Sequence, residues 1–217
     1  MTLLHARWVQ SRLSRHLLCR IPDAGPRFAL TFDDGPSPHN TPALLDLLAR
    51  HGARATFFLL RGRVRRHPDV ARRIAEAGHE IGVHGDLHVP AWWMPTSWVE
   101  ADIRRASATI VAVTGVRPAH YRAPFGLLRP GQAAAVRRLG LVPVLGDVYP
   151  RDHDFRRPAP ITGRVLARLA SGSIVILHDA SAVFDADRRA TVDAVAQVLE
   201  AAAARGWSAA ALRDLAG

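Results

Sequence analysis

From Arg27 to the C-terminus, short apolar runs alternate with stretches whose apolar residues recur every three or four positions. That alternation predicts strands and helices in turn, and hence an α/β domain with a parallel sheet. RFALTF (Arg27 to Phe32) reads as the first strand and ATFFLL (Ala55 to Leu60) as the second. Between them Thr41 caps a helix with Pro42 at its first position, which Gly52 stops. A helix over His67 to Ala77 ends at Gly78, and HEIGV (His79 to Val83) is the third strand. Ser97 with Glu100 reads as a capping box opening a helix to about Thr114, again followed by glycine. The pattern continues with a strand at Ala119 to Arg122, a helix over Gly131 to Leu139 and a strand over Leu141 to Leu145. A helix near Ile161 to Ala170, the strand SIVIL (Ser173 to Leu177) and an Ala-rich helix over Arg189 to Ala204 complete it.

The polar residues fall at one kind of place on this map. Asp33 and Asp34 follow the first strand, His84 and His88 the third, Arg122 the fourth, Asp147 the fifth, and His178 with Asp179 the sixth. The C-terminal ends of parallel strands share one face, and ligands bind there, so residues far apart in sequence converge. Each element alone has an ordinary explanation. Asp-Gly is a common turn, and adjacent carboxylates at a strand end can simply be solvated. With 11 histidines in 217 residues, the i, i+4 spacing of His84 and His88 also arises by chance. The conjunction, in this order and at strand ends, points to a site.

Composition narrows the chemistry. The length fits one domain, and 48% apolar residues suffice for a sizeable core. A single cysteine, Cys19, rules out an intrachain disulfide and any CxxC metal knot, so a metal would be held by imidazole and carboxylate. The net charge of +10 comes from arginine alone, with no lysine. That choice reads as codon bias, and since no RNA- or DNA-binding motif accompanies it, a nucleic-acid partner is not expected.

The first 25 residues read as a basic arm or helix, and residues 26–217 as the domain. In the arm Arg7, Arg12, Arg15 and Arg20 interleave with Leu4, Trp8, Leu13 and Leu17. This suits a helix packed on the domain's own surface, or peripheral contact with an anionic membrane. No apolar run reaches the ~20 residues of a membrane span, and the N-terminus lacks the h-region of a secretory signal. The expectation is therefore a cytoplasmic protein, with membrane contact only through the arm. The pattern sets no oligomeric state.

TFDDG (Thr31 to Gly35), HGDLH (His84 to His88), RAPFG (Arg122 to Gly126), GDVYPRD (Gly146 to Asp152) and LHD (Leu177 to Asp179) together carry a resemblance. The chain resembles the polysaccharide deacetylases of the NodB homology type, carbohydrate esterase family 4, over nearly its whole length after the arm. The resemblance implies a deformed (β/α) barrel and the metal-dependent removal of acyl groups, usually N-acetyl from amino sugars.

It also implies roles. Asp34, His84 and His88 would hold one divalent ion and leave a coordination position open. Zinc is the first expectation, and cobalt, nickel and manganese suit the same donors. Asp33 would be the general base, with Arg122 holding it. His178 would protonate the leaving nitrogen, supported by Asp147 or Asp152. Leu177 would line the acyl-methyl pocket, and a backbone N–H near Phe125 would face the developing oxyanion. Apart from the resemblance, Trp92 and Trp93 follow the histidine pair closely, and an indole there either stacks on a sugar ring or packs near a helix start.

This chain departs from the family pattern in three ways. Gly85 replaces the usual Ser or Thr after the first histidine, removing a hydrogen bond beside the metal site. The usual DxxDW motif is respaced here, with His153 at the aromatic position. The family's usual secretion signal is lacking. The expected activity is deacetylation of amino-sugar residues in a glycan or glycoconjugate. Two alternatives stand beside it: O-acetyl ester or N-acyl cleavage from a small or lipid-linked sugar, and a catalytically silent module that binds anionic glycans.

Overall fold

The computed structural model describes residues 16–215. Strand β1 (Arg27–Gly35) is buried at every position but its first, because strands lie beside it and helices cover it. It is followed by α1 (Asn40–Arg50), β2 (Thr56–Leu60), α2 (Arg61–Arg66), α3 (Pro68–Glu76) and β3 (Glu80–Gly85). Then come α4 (Thr96–Thr114), β4 (His120–Tyr121), α5 (Pro130–Arg138), β5 (Val142–Pro143), α6 (Pro158–Leu166) and β6 (Ile174–His178). Helix α7 (Arg189–Ala203), β7 (Ser208–Ala210) and α8 (Leu212–Leu215) end the described chain.

The strands pair in parallel in the order β5-β4-β3-β2-β1-β6, with β7 added against β1. Short pairings join the two edges of that path. The Leu18 amide donates to the Pro143 carbonyl at 2.8 Å, and the Leu145 amide to the Leu18 carbonyl at 2.9 Å. Arg20 bridges to Ser173, and Val148 to Val175. The sheet thereby curls into the deformed (β/α) barrel that the motifs implied, and residues 18–20 take part in closing it. Leu17 and Ile21 are buried, so this part of the arm is extended and built into the domain. Arg7, Arg12, Arg15, Leu4, Trp8 and Leu13, on which the membrane-contact expectation mostly rested, lie outside the described residues.

The element pattern held, with local differences. Ser97 and Glu100 form no capping box: α4 starts at Thr96 behind Pro95, without a side-chain cap. Thr41 does not cap α1 either. Its hydroxyl accepts the Ser37 amide at 2.7 Å and donates to Asp179, which ties the loop after β1 to the loop after β6. At the opposite end of the strands, Glu80 Oε1 lies 2.5 Å from His120 Nδ1, and Oε2 accepts from the Thr56 hydroxyl and the Arg213 amide, each at 2.9 Å. This buried network seats α8 under the barrel.

Candidate active site

The site is assembled where β1, β3, β4 and β6 end. Asp34 follows the last core residues of β1 and is bent into the left-handed region at φ 70°, which turns its carboxylate towards β3. Gly35 comes next because the Asp179 carboxylate crowds it: a Cβ there would lie 2.6 Å from both carboxylate oxygens. Burial holds Asp179 up to about 7, and the nearby Asp34 charge adds to this while the Thr41 hydrogen bond opposes it.

Asp34 Oδ1 lies 3.3 Å from His84 Nε2 and 3.1 Å from His88 Nε2. The three donor atoms sit within 4.8 Å of one another, and Asp34 and His84 are buried. Asp34 Oδ1 is buried with no hydrogen-bond partner. The other nitrogen of His84, Nδ1, lies 2.9 Å from the Arg122 carbonyl, which can only accept, so Nδ1 carries a proton and, in the neutral ring, Nε2 presents its lone pair to Asp34. A carboxylate oxygen facing such a lone pair is repulsive unless a cation lies between them. These residues therefore fit a divalent metal, with the Arg122 carbonyl fixing the orientation of one ligand.

Gly85 turns the chain between the two histidines at φ 103°. A Cβ there would lie 2.7 Å from Asp102 Oδ2. Asp102 accepts the amides of Asp86 and Leu87 at 2.9 and 3.1 Å. In this chain a buried carboxylate from α4 thus fixes the loop carrying His88, at the position where the side-chain hydrogen bond is missing.

Asp33 is buried and accepts from Arg122 Nη1 at 2.7 Å. The same Nη1 donates to Thr31 Oγ1 at 2.7 Å, and the guanidinium lies over the Phe58 ring at 4.2 Å. In the sheet register Asp33 is directly opposite His178. Asp152, and not Asp147, supports that histidine. Asp152 Oδ1 lies 2.8 Å from His178 Nδ1, while Oδ2 accepts the His178 amide and the Thr191 hydroxyl at 2.9 Å each. Burial acts to lower the His178 imidazole, but the charge and hydrogen bond of Asp152 outweigh it and hold the ring up at about 9. Asp147 is turned away: it pairs with Arg20 and accepts from the Ser173 hydroxyl and the Ile174 amide. Its place is in the barrel closure.

A cleft of about 760 Å³ opens over these groups, lined also by Leu145, Tyr149, His153, Phe155, Ile176 and Phe184. Leu177 does not line it. Strand side chains alternate, so His178 and Ile176 face the cleft while Leu177 is buried in the core on the opposite face. Phe125, left-handed at φ 61°, lines the cleft with its ring 4.8 Å from that of His88. Trp92 stands behind it, edge-on at 6.2 Å and outside the lining, and Trp93 is exposed. Tyr149 and His153 were not assigned roles from sequence, although both lie within or beside GDVYPRD. Their rings pack 6.2 and 5.2 Å from that of His178.

A parallel barrel with Asp, His, His and a paired Asp-Arg at its strand ends is the arrangement that the family resemblance implied, and comparison with known proteins agrees. The polysaccharide deacetylase family model matches residues 21–144, and the chain belongs to that family. It is 36% identical over 153 residues to the peptidoglycan-N-acetylglucosamine deacetylase PgdA of Listeria monocytogenes, covering 70% of this chain and 32% of that protein. The chain thus spans about a third of that relative's length. The chitooligosaccharide deacetylase of Rhizobium leguminosarum bv. trifolii is 36% identical over 150 residues, 69% of this chain and 70% of the relative. Among solved structures, a peptidoglycan N-acetylglucosamine deacetylase superposes with a TM-score of 0.87 at 26% identity, covering 94% of this chain and 95% of that one.

Proposed function

We propose that this chain is a metal-dependent deacetylase that removes N-acetyl groups from amino-sugar residues of a glycan. One observation carries the reading: the buried, unpartnered Asp34 Oδ1 and the Nε2 atoms of His84 and His88 converge beside two already paired groups, Asp33 with Arg122 and His178 with Asp152. Asp34, His84 and His88 would hold the ion, with zinc the first choice for two imidazoles and a carboxylate. When bound, a divalent ion polarises the acyl oxygen and lowers the pKa of water towards ~7.

The chain's own residues supply the rest. Arg122 occupies Asp33 Oδ1 and leaves Oδ2 to take a proton from the attacking water as its oxygen bonds to the acyl carbon. Asp152 occupies His178 Nδ1 and leaves Nε2 towards the cleft. With its pKa near 9 the ring is cationic at neutral pH, so it can hand the Nε2 proton to the sugar nitrogen as the C–N bond breaks. The products are acetate and a free amine. Phe125 and Ile176 line the cleft beside these groups.

The test is acetate release from chitooligosaccharides, peptidoglycan fragments, O-acetylated xylan and small acetylated amino sugars, before and after chelation and with each metal restored. The proposal expects release from N-acetylated glycans that chelation abolishes and zinc restores. Release only from O-acetyl esters, or from no substrate in metal-loaded protein, would overturn it.

A further inference from the structure

Beside the proton-donating histidine lie more metal-ligating atoms than deacetylation uses. Asp152, His153 and His178 each present one, and all three atoms fall within 4.8 Å of one another. The His153 and His178 rings meet edge to face at 89°, with centroids 5.2 Å apart. His153 is exposed at the cleft, and its own contacts are loose: Tyr149 Oη lies 3.4 Å from Nδ1, and Asp154 Oδ1 lies 3.3 Å from Nε2. Asp154 thus puts a second carboxylate next to the group.

We propose that Asp152, His153 and His178 form a second divalent-cation site, which switches deacetylation off by capturing the histidine that delivers the proton. The binding claim stands on these side chains alone, and only the consequence for turnover rests on the deacetylase reading. Two imidazoles and a carboxylate favour zinc, cobalt or nickel over magnesium or calcium. With bonds of ~2.0–2.1 Å around a tetrahedral ion, neighbouring donors stand about 3.3 Å apart. The 2.8 Å contact between Asp152 and His178 must therefore open by roughly half an ångström, and exposed His153 must swing inward. Water from the cleft can complete the shell.

The two sites should fill in order. At Asp34 a carboxylate oxygen has no hydrogen-bond partner to lose. At Asp152 the ion must displace the proton shared with His178. The first ion enables the reaction; the second, bound more weakly, takes the Nδ1 position, so the ring becomes a neutral ligand whose Nε2–H is no longer an imidazolium proton to give up.

The experiment is equilibrium dialysis of metal-stripped full-length protein against increasing zinc and cobalt(II), counting bound ions by elemental analysis and following the cobalt absorption bands. Expected are two ions per chain for the parent, one tight ion for His153→Phe, and one weak ion for Asp34→Ala. Circular dichroism checks that each variant is folded. Acetate release should rise with the first ion and fall with the second in the parent, with no fall in His153→Phe. One ion at saturation in the parent, an unchanged second ion in His153→Phe, or inhibition persisting in that variant would overturn the proposal. Absence of acetate release at one ion per chain would count against the deacetylase reading and leave the ion count standing.

Discussion

On the β3 side of the cleft, Asp34 Oδ1 lies 3.3 and 3.1 Å from the Nε2 atoms of His84 and His88, and the Arg122 carbonyl holds a His84 proton on the far nitrogen. On the β6 side, Asp152 grips the Nδ1 of His178 directly at 2.8 Å. The residue types are the same, and for His84 and His178 the difference lies in what sits behind Nδ1. A carbonyl behind the ring turns a lone pair forward and makes a metal ligand. A carboxylate behind the ring stabilises a cation and makes an acid. A third pair, Glu80 with His120 at 2.5 Å, is walled in at the opposite end of the strands and only fastens α8.

The hardest way to break this comparison is to remove the metal side. Asp34→Ala should abolish binding of the tight ion and turnover together, read by elemental analysis and acetate release. Asp33→Asn should keep the ion and lower kcat by ~10²–10⁴, the range for loss of a positioned proton acceptor. Metal content and rate measured on one preparation separate the two adjacent aspartates.

The β6 side is sharpened by pH. The His178 ring ordinarily titrates near 6.5 and is held here at about 9, so the acid is present below that value and activity falls as pH rises through it. Asp152→Asn removes the charge that raises it. The alkaline limb of kcat/KM should then move to lower pH, and the rate at pH 8 should fall more than the rate at pH 6. An unmoved limb would show that Asp152 only packs the loop.

Smaller effects mark the controls. Glu80→Gln should cost ~3 kcal/mol of stability by stranding a buried partner, measured by urea unfolding, with kcat and KM unchanged. Asp147→Asn should leave turnover within twofold and weaken only the closure at Arg20.

Much of this site was legible before any coordinates, for a physical reason. Asp33, Asp34, His84, Arg122 and His178 sit at strand ends or just past them, and parallel pairing brings strand ends together whatever the loops do. Where a loop decides, the sequence left matters open. Asp147 and Asp152 are both plausible partners for His178, and only the path of residues 147–154 brings one to the histidine and the other to Arg20. Leu177 was assigned to the acyl pocket from the family pattern, yet strand alternation puts it behind the sheet, and the placement of His178 at the cleft already implied that parity. The role of Leu18 and Arg20 in closing the barrel had no signal, because isolated bridges need no apolar run. The same holds for Asp102, which serves a turn 17 residues earlier at Gly85 through backbone amides alone.

The most direct test of the central claim is an anomalous-difference map from crystals of the protein loaded with one equivalent of zinc. A single strong peak is expected ~2.0–2.2 Å from Asp34 Oδ1, His84 Nε2 and His88 Nε2 together. A map with no peak there, or with its strongest peak at other residues, would contradict the account.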